Sequence, residues 1–418
     1  MKRRYGPVLA VLFARYGPYH AARLRGALVA AEDSGWCVRG LEVRHSDRYY
    51  AWSPVEFGDD EPVNTLVPHG GGTVTPTTVR RLLFRALDEL DPGCVAIPGY
   101  GDGPALAALA WCRTRGRATV LMSESKRNDA PRWWPLEIVK RMLVKLYDAA
   151  LVGGPAQEKY LGELGMGGKR VFLGYDAVDN KHFERQSDTA RSDKESWRER
   201  LGIQRPFILS SSRFFRRKNI PRLLEAYAAY RSAVGPERAW DLVVLGDGKD
   251  RTRIEKTVRD LSLQVCVQLP GFRQIDELPC WYGLANVFVH VPLREPWGLV
   301  VNEAMASALP VVVSSFAGAS ELVRDGVNGW VIDPRDPDAI AETLVRAHKM
   351  GAGVLRSMGL SAREAVRDWG PERFGQGLMA AAEAGLSRSA CRPDPGRLTG
   401  RALAGLLLAV SRFVDWGG

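Results

Sequence analysis

Along the chain, short apolar, β-branched runs alternate with longer stretches whose apolar residues recur at helical spacing. "PVLAVLFA" is followed by "YHAARLRGALVAAEDSG", and "GCVAIPG" by "PALAALAWCRTRG" and then "RATVLMS". Such alternation predicts parallel strands covered by helices. It lapses between about Glu184 and Arg200, "ERQSDTARSDKESWRER", where charge is dense and apolar residues are few, so this stretch reads as a boundary between domains. The alternation then resumes through "PFILSSS", "IPRLLEAYAAY", "WDLVVLGDG", "NVFVHVP", "LPVVVSS" and "GWVIDP". Two α/β domains in tandem imply a cleft between them, and in this architecture ligands bind outside the carboxyl ends of the strands. The last segment, Asp394 to Gly418, mixes Arg397, Arg401 and Arg412 with "ALAGLLLAV" and is expected to form an amphipathic helix, packed on the body or lying on a membrane.

Composition narrows this picture. A length of 418 residues suits two domains rather than one, and 45% hydrophobic with 25% charged residues is the make-up of an ordinary globular protein. Lys and Arg outnumber Asp and Glu by 58 to 48, and a net charge of +10 favours anionic company: a phosphorylated small molecule, an acidic membrane surface or nucleic acid. No RNA- or DNA-binding signature accompanies that charge, so nucleic acid is not expected as a partner. The six cysteines are scattered, without a C-x-x-C pair or a histidine at metal spacing, which points to buried thiols in a reducing cytoplasm. The opening "MKRRYGPVLAVLFARYG" is broken at Arg15 and reads as a first buried strand rather than a signal peptide, and no apolar run reaches the roughly 20 residues that a membrane span needs.

Two strand-to-helix loops carry candidate chemistry. After "PFILSSS" come Arg213, the basic turn "FFRRK" with Lys218, the N-cap candidate Asn219, and Pro221 in the first turn of a helix. A diphosphate there would be held by charge and by the helix-start amides together, although Arg216, Arg217 and Lys218 read equally well as a solvated turn. After "NVFVHVP" the loop "LREPWG" leads into "LVVNEAMASA". Gly298 permits close approach of the backbone to a ligand, and the amides from Leu299 on would face an anion. Glu295 and Glu303, eight positions apart around this turn, are either surface and helix-face charges or acceptors for sugar hydroxyls.

The pair Glu295 and Glu303 in "EPWGLVVNEAMASALPVVVS" resembles the E-x7-E motif of the retaining glycosyltransferases of family four. "SRFFRRKNIPRLLEAY", "VVLGDG", "LPGF", "NVFVHVP" and "AGASELVRDGVNGWVIDP" are similar to the same family, in its order, and the likeness reaches more weakly into the first half through "VFLGYDAVDNKHF". The resemblance implies an α/β fold of the GT-B type, two Rossmann-like parallel-sheet domains facing a cleft. Residues 1–184 would form the acceptor-binding domain and 185–200 a charged linker. Residues 201–370 would form the nucleotide-sugar domain and 371–418 the C-terminal helices, the first crossing back to the N-terminal domain. It further implies that Arg213 and Lys218 bind the donor diphosphate, Glu303 the ribose hydroxyls and Glu295 the transferred sugar. Gly298 and Leu299 would hold phosphate through their backbone, and Phe272 and Arg273 would border the base. Glu295, Arg213 and Lys218 are thus the expected catalytic group.

The implied reaction is a metal-independent, retaining hexosyl transfer from a nucleotide-diphosphate sugar to a sugar, glycan or lipid-linked acceptor, as in polysaccharide biosynthesis. It uses no cofactor, and no D-x-D site stands where a metal-dependent enzyme would want one. The implied place is the cytoplasm, with peripheral contact at the inner membrane face. A nucleotide-sugar epimerase or a phosphorylase on the same architecture is the alternative.

The chain departs from the family at "TVLMSESKR", where many members carry a histidine and this sequence has Ser123 and Glu124, so Glu124 is expected to take over contacts to sugar or acceptor. His20, after the first strand, is a candidate acceptor or sugar contact, or else a helix-cap or packing residue. "GYGDG", Gly99 to Gly103, has the wrong spacing for a dinucleotide fingerprint, and "HGGG", His69 to Gly72, lacks a nucleophile elbow elsewhere. "KRNDAPRWWPLEIVKRMLVKLYDAALV" is basic and aromatic. It reads as a covering helix with solvated cations or as a membrane-surface site, with Ile138, Met142 and Leu146 on one stripe.

Overall fold

In the computed structural model, residues 6–45, 51–68, 74–129, 132–391 and 405 are described. The opening Met1–Tyr5, the "HGGG" loop and, Gly405 apart, the expected helix in 394–418 lie outside them. The chain forms two compact units, one of residues 1–177 with 371–418 and one of residues 178–370.

The first unit runs β1 (Val8–Phe13), α1 (Pro18–Ser34), β2 (Cys37–Arg44), β3 (Val63–Val67), α2 (Pro76–Leu90), β4 (Cys94–Pro98), α3 (Gly103–Arg115), β5 (Ala118–Ser123), α4 (Trp134–Val144), β6 (Ala149–Val152), α5 (Pro155–Glu163) and β7 (Val171–Leu173). The second runs α6 (Asn180–Ser192), α7 (Lys194–Leu201), β8 (Phe207–Ser211), α8 (Ile220–Val234), β9 (Asp241–Leu245), α9 (Arg251–Asp260), β10 (Val267–Gly271), α10 (Leu278–Leu284), β11 (Val287–His290), α11 (Leu299–Ala306), β12 (Val311–Ser314), β13 (Gly329–Ile332) and α12 (Pro337–Val366). The chain then returns to the first unit with α13 (Pro371–Ala390).

Both sheets are parallel, in the orders β3-β2-β1-β4-β5-β6-β7 and β10-β9-β8-β11-β12-β13. Each therefore reverses direction once, between β1 and β4 and between β8 and β11, and the crevice at such a reversal is where this class of fold takes its ligands. Strand alternation divides the first core. Ala10 and Leu12 face α2 and α3, while Leu9, Val11 and Phe13 face α1 and α13. Helices α1 and α13 meet so closely that a Cβ on Gly375 would lie 2.1 Å from the Gly26 carbonyl oxygen, which only glycine avoids.

The stretch expected as a linker over 185–200 is instead helical, in α6 and α7 of the second unit. Asp179 caps α6 by accepting from the His182 amide (3.0 Å), and Phe183, Ser187 and Ala190, at i, i+4 and i+7, are buried beside α10. One bulky apolar residue and two small ones suffice for a buried face, and the dense charge is the helix's solvated side. In the first unit, the aspartate of "GYGDG" is likewise structural: Asp102 caps α3, accepting from the Ala105 amide at 2.7 Å.

Candidate active site

The loops leaving β8 and β11, neighbours at the reversal of the second sheet, hold most of the expected residues. After β8 the chain passes Arg213, makes a short 3-10 turn over Arg216–Lys218 and enters α8. The buried Phe214 fixes this turn, its amide donating to the Asp247 carbonyl (2.8 Å) and its carbonyl accepting from the Asp250 amide (3.0 Å). Ile220, Leu223, Leu224 and Tyr227 of α8 are buried on one face, as their spacing predicts.

Asn219 stands at the N-cap of α8, but its side chain does not cap the helix. Its backbone is left-handed (φ 62°), a conformation asparagine tolerates, and its side-chain amide donates instead to the carbonyls of Val291 (3.1 Å) and Pro334 (2.8 Å). One buried amide thus joins the ends of β8, β11 and β13. Asn219→Leu is expected to cost about 3 kcal/mol, because the Val291 and Pro334 carbonyls both lose this donor and a branched side chain must adopt left-handed backbone. Asn219→Gly, which relieves the backbone alone, should cost less. Urea denaturation of both variants checks this, and equal losses would remove the stapling role.

The loop after β11 is held on every side. The Leu293 amide donates to the Arg217 carbonyl (2.8 Å) and the Ser314 hydroxyl to Pro292 (2.7 Å). Trp297 is buried, donates to Asn302 (2.9 Å) and stacks on Trp369 with centroids 5.2 Å apart. At the head of α11, Gly298 has φ 105°, and a Cβ there would lie 3.3 Å from Glu295 Cγ and 3.5 Å from His290 Nε2. The backbone amides from Leu299 onward begin the helix, where the first amides lack acceptors within it.

At the centre is an ion pair. Lys218 Nζ donates to Glu295 Oε2, and both side chains are about nine-tenths buried. The same oxygen is 3.2 Å from Nε2 of His290, which is buried at the end of β11. Burial would raise the Glu295 carboxyl, but the Lys218 charge and the His290 hydrogen bond overcome it and hold Glu295 well below the usual carboxylate range. Burial lowers the His290 imidazole, Glu295 opposing and Lys218 assisting, so His290 is neutral near neutral pH and must carry its proton on Nε2 to donate to the carboxylate. Burial also lowers the Lys218 ammonium against the pull of Glu295, and the nearby charges of Arg217 and Arg213 add to the lowering.

The other expected residues surround or lie apart from this pair. Arg213 is half-buried, its guanidinium 5.0 Å from the Phe215 ring centroid. Glu303 is fully buried within α11, and its Oε2 accepts the Tyr282 hydroxyl at 2.7 Å. Phe272 and Arg273 are half-buried just after β10, with Arg273 over the Trp281 ring at 5.9 Å. His20 and Glu124 belong to the first unit. Glu124 is half-buried in the loop after β5. His20 Nδ1 accepts from the Gly17 amide (3.4 Å) and its ring packs on Phe13 at 4.2 Å, the helix-cap and packing arrangement; burial, with Arg23 and Arg15, pushes its pKa down to about 3.

Sequence reasoning missed His290 and the true work of Asn219. The signal for His290 was a single polar residue closing an otherwise apolar central strand, five positions before Glu295.

Comparison with known proteins adds to this geometry. Residues 193–364 match the family model described as glycosyl transferases group 1. A GDP-mannose-dependent alpha-(1-6)-phosphatidylinositol monomannoside mannosyltransferase of Mycolicibacterium smegmatis is 33% identical over 322 residues, covering 72% of this chain and 81% of that protein. An uncharacterized glycosyltransferase of Methanocaldococcus jannaschii is 34% identical over 151 residues, which span 36% of this chain but only 38% of that protein's length. The crystal structure of Anabaena HepE in complex with UDP-glucose aligns with a TM-score of 0.66 at 18% identity, over 90% of this chain and 98% of that one. This likeness bears out the expected fold class, GT-B with two Rossmann-like units.

Proposed function

The chain belongs to the group 1 glycosyl transferases, the family-four type, and is a glycosyltransferase; from that premise we propose that it is a retaining, metal-independent hexosyltransferase using a nucleotide-diphosphate sugar. The observation that carries this reading is the buried Lys218–Glu295–His290 cluster beside Gly298 at the sheet reversal. Two cations, Arg213 and Lys218, stand with a helix start where a departing diphosphate gathers negative charge, and stabilising that charge is the larger part of such catalysis. Glu295, ionised and oriented by His290, accepts hydroxyl hydrogens of the transferred sugar, while Glu303, oriented by Tyr282, takes the ribose. Phe272 and Arg273 border the base, and Gly298 and Leu299 hold phosphate through backbone.

In the reaction the anomeric carbon–oxygen bond to the diphosphate breaks and a bond to the acceptor oxygen forms on the same face. The acceptor's proton passes to the leaving phosphate oxygen, so products are a nucleoside diphosphate and a glycoside of unchanged anomeric configuration. The acceptor is a sugar, glycan or lipid-linked hydroxyl held by the first unit, with Glu124 and His20 as candidate contacts. Six scattered cysteines, with no C-x-x-C pair, fit a reducing cytoplasm, with peripheral contact at the inner membrane face. Among the described residues, no helix is long and apolar enough to cross a membrane.

The name of the mycobacterial relative makes GDP-mannose the first donor to test, and the Anabaena complex makes UDP-glucose the second. One of them should raise the melting temperature, release nucleoside diphosphate when acceptor is present, and give a product with the donor's anomeric configuration. An inverted anomer would remove the retaining mechanism. Formation of an epimeric nucleotide sugar without acceptor would overturn transfer altogether.

A further inference from the structure

In a helix at the surface of a globular protein the apolar stripe faces the core, and α4 reverses this. Its one buried residue is Val144. Its inner side meets the core through Leu143 and Val144 at its end and is otherwise tied to the body by polar groups: Glu137, paired with Lys140 of the same helix (2.8 Å), accepts from the Tyr160 hydroxyl (2.7 Å), and Arg132 lies over the Tyr160 ring at 4.4 Å. The outer side is apolar. Trp133, Trp134 and Met142 are 67%, 72% and 59% exposed, and Leu136, Ile138 and Val139 are exposed between 44% and 49%. Trp134, Ile138 and Met142 follow at i, i+4 and i+8, so they form one stripe, with the exposed Arg141 and Lys145 along its edge. Of the stripe Ile138, Met142 and Leu146, the first two therefore point away from the core and Leu146 packs against it.

We propose that this face of α4, with Trp133 before it, seats the protein on a bilayer surface that carries anionic lipid. The proposal deepens the peripheral-membrane part of the reading above, and it rests on none of the site chemistry. Exposed tryptophans on an apolar stripe suit the boundary between headgroups and acyl chains, where the ring is half in each. The charge selects the lipid: Lys126, Arg132 and Lys140 are turned inward, the last two paired with Asp129 and Glu137, while Arg127, Arg141 and Lys145 are exposed, and basic groups beside a membrane are drawn to its anionic headgroups. A second copy of the chain would bring the same positive surface against itself and be repelled.

Co-sedimentation of the full chain with vesicles tests this. Phosphatidylcholine vesicles rich in phosphatidylglycerol should carry the protein into the pellet, phosphatidylcholine alone should carry little, and high salt should weaken the first. A variant with Trp133→Ser, Trp134→Ser, Ile138→Ser and Met142→Ser should partition at least about tenfold less while keeping its circular dichroism and its thermal response to nucleotide sugar. Wild-type protein left in solution with the anionic vesicles, or equal binding by the variant, overturns the proposal. So does a wild-type dimer in light scattering that the variant converts to monomer, which would give the face to a second copy. Vesicle binding without any response to nucleotide sugar would overturn the catalytic reading and leave this one standing.

Discussion

Lys218→Ala lowers kcat/KM for sugar transfer by about a thousandfold, the loss seen when a group opposite developing negative charge is removed. The same variant loses most of its affinity for the product nucleoside diphosphate, because Lys218 and Arg213 are the cations proposed to hold it. It also leaves the buried Glu295 with His290 as its remaining partner in the ion-pair cluster. Breaking a buried pair on one side costs about 3 kcal/mol, and the cost depends on pH. In the wild-type protein the depressed Glu295 carboxyl contributes stability that is fully present above the ordinary carboxylate range and is lost only as pH falls well below it. Without Lys218, burial raises that carboxyl, so the variant begins to lose stability at higher pH than wild type. Urea midpoints measured from about pH 7 to about pH 4 read this directly. The double variant Lys218→Ala with Glu295→Gln removes both charges and should regain stability without regaining activity. A single variant with wild-type turnover would end the assignment of Lys218.

Glu295→Gln separates the sugar from the diphosphate. The amide keeps the shape of the carboxylate but loses its charge, so transfer should fall by about two to three orders of magnitude while nucleoside diphosphate binds at least as tightly as before. Isothermal titration with the product and initial rates with the donor give the two numbers. Equal losses of diphosphate affinity in this variant and in Lys218→Ala would mean that the pair acts as one unit, and the division of roles between them would fall.

Much of the second unit was legible from alternation alone, because its strands are apolar runs of four or five residues and its candidate loops follow directly on them. Arg213, Lys218, Glu295 and Gly298 stand on those loops for a reason visible in sequence: strand ends are where side chains leave the core. Other features were not legible. Periodicity tells which residues share a face of a helix but not whether that face turns inward, so the sequence of α4 suits a covering helix and a membrane-surface site alike. The charged helices α6 and α7 read as a linker in the sequence because a buried face made of Phe183, Ser187 and Ala190 is nearly invisible beside so many charges. Asn219 joins carbonyls 72 and 115 residues away, and no local pattern announces such partners. His290 acts through the turn that brings Glu295 back to it, and that turn is set by Gly298 and the packing of Trp297.

The return of α13 to the first unit bears on how the polypeptide matures during synthesis. The seven strands of that unit are complete by Leu173, yet the helix that covers α1 is not made until Pro371–Ala390. The second unit is one unbroken segment, Val178–Gly370. On a translating ribosome the usual order, first-made domain first, is therefore reversed. The first unit waits, with one side of α1 uncovered, for a segment made only after Gly370, while the second unit completes itself in between. A fragment ending near Ala177 would be born without its lid and should aggregate. A fragment spanning Val178–Gly370 holds every residue of its own core.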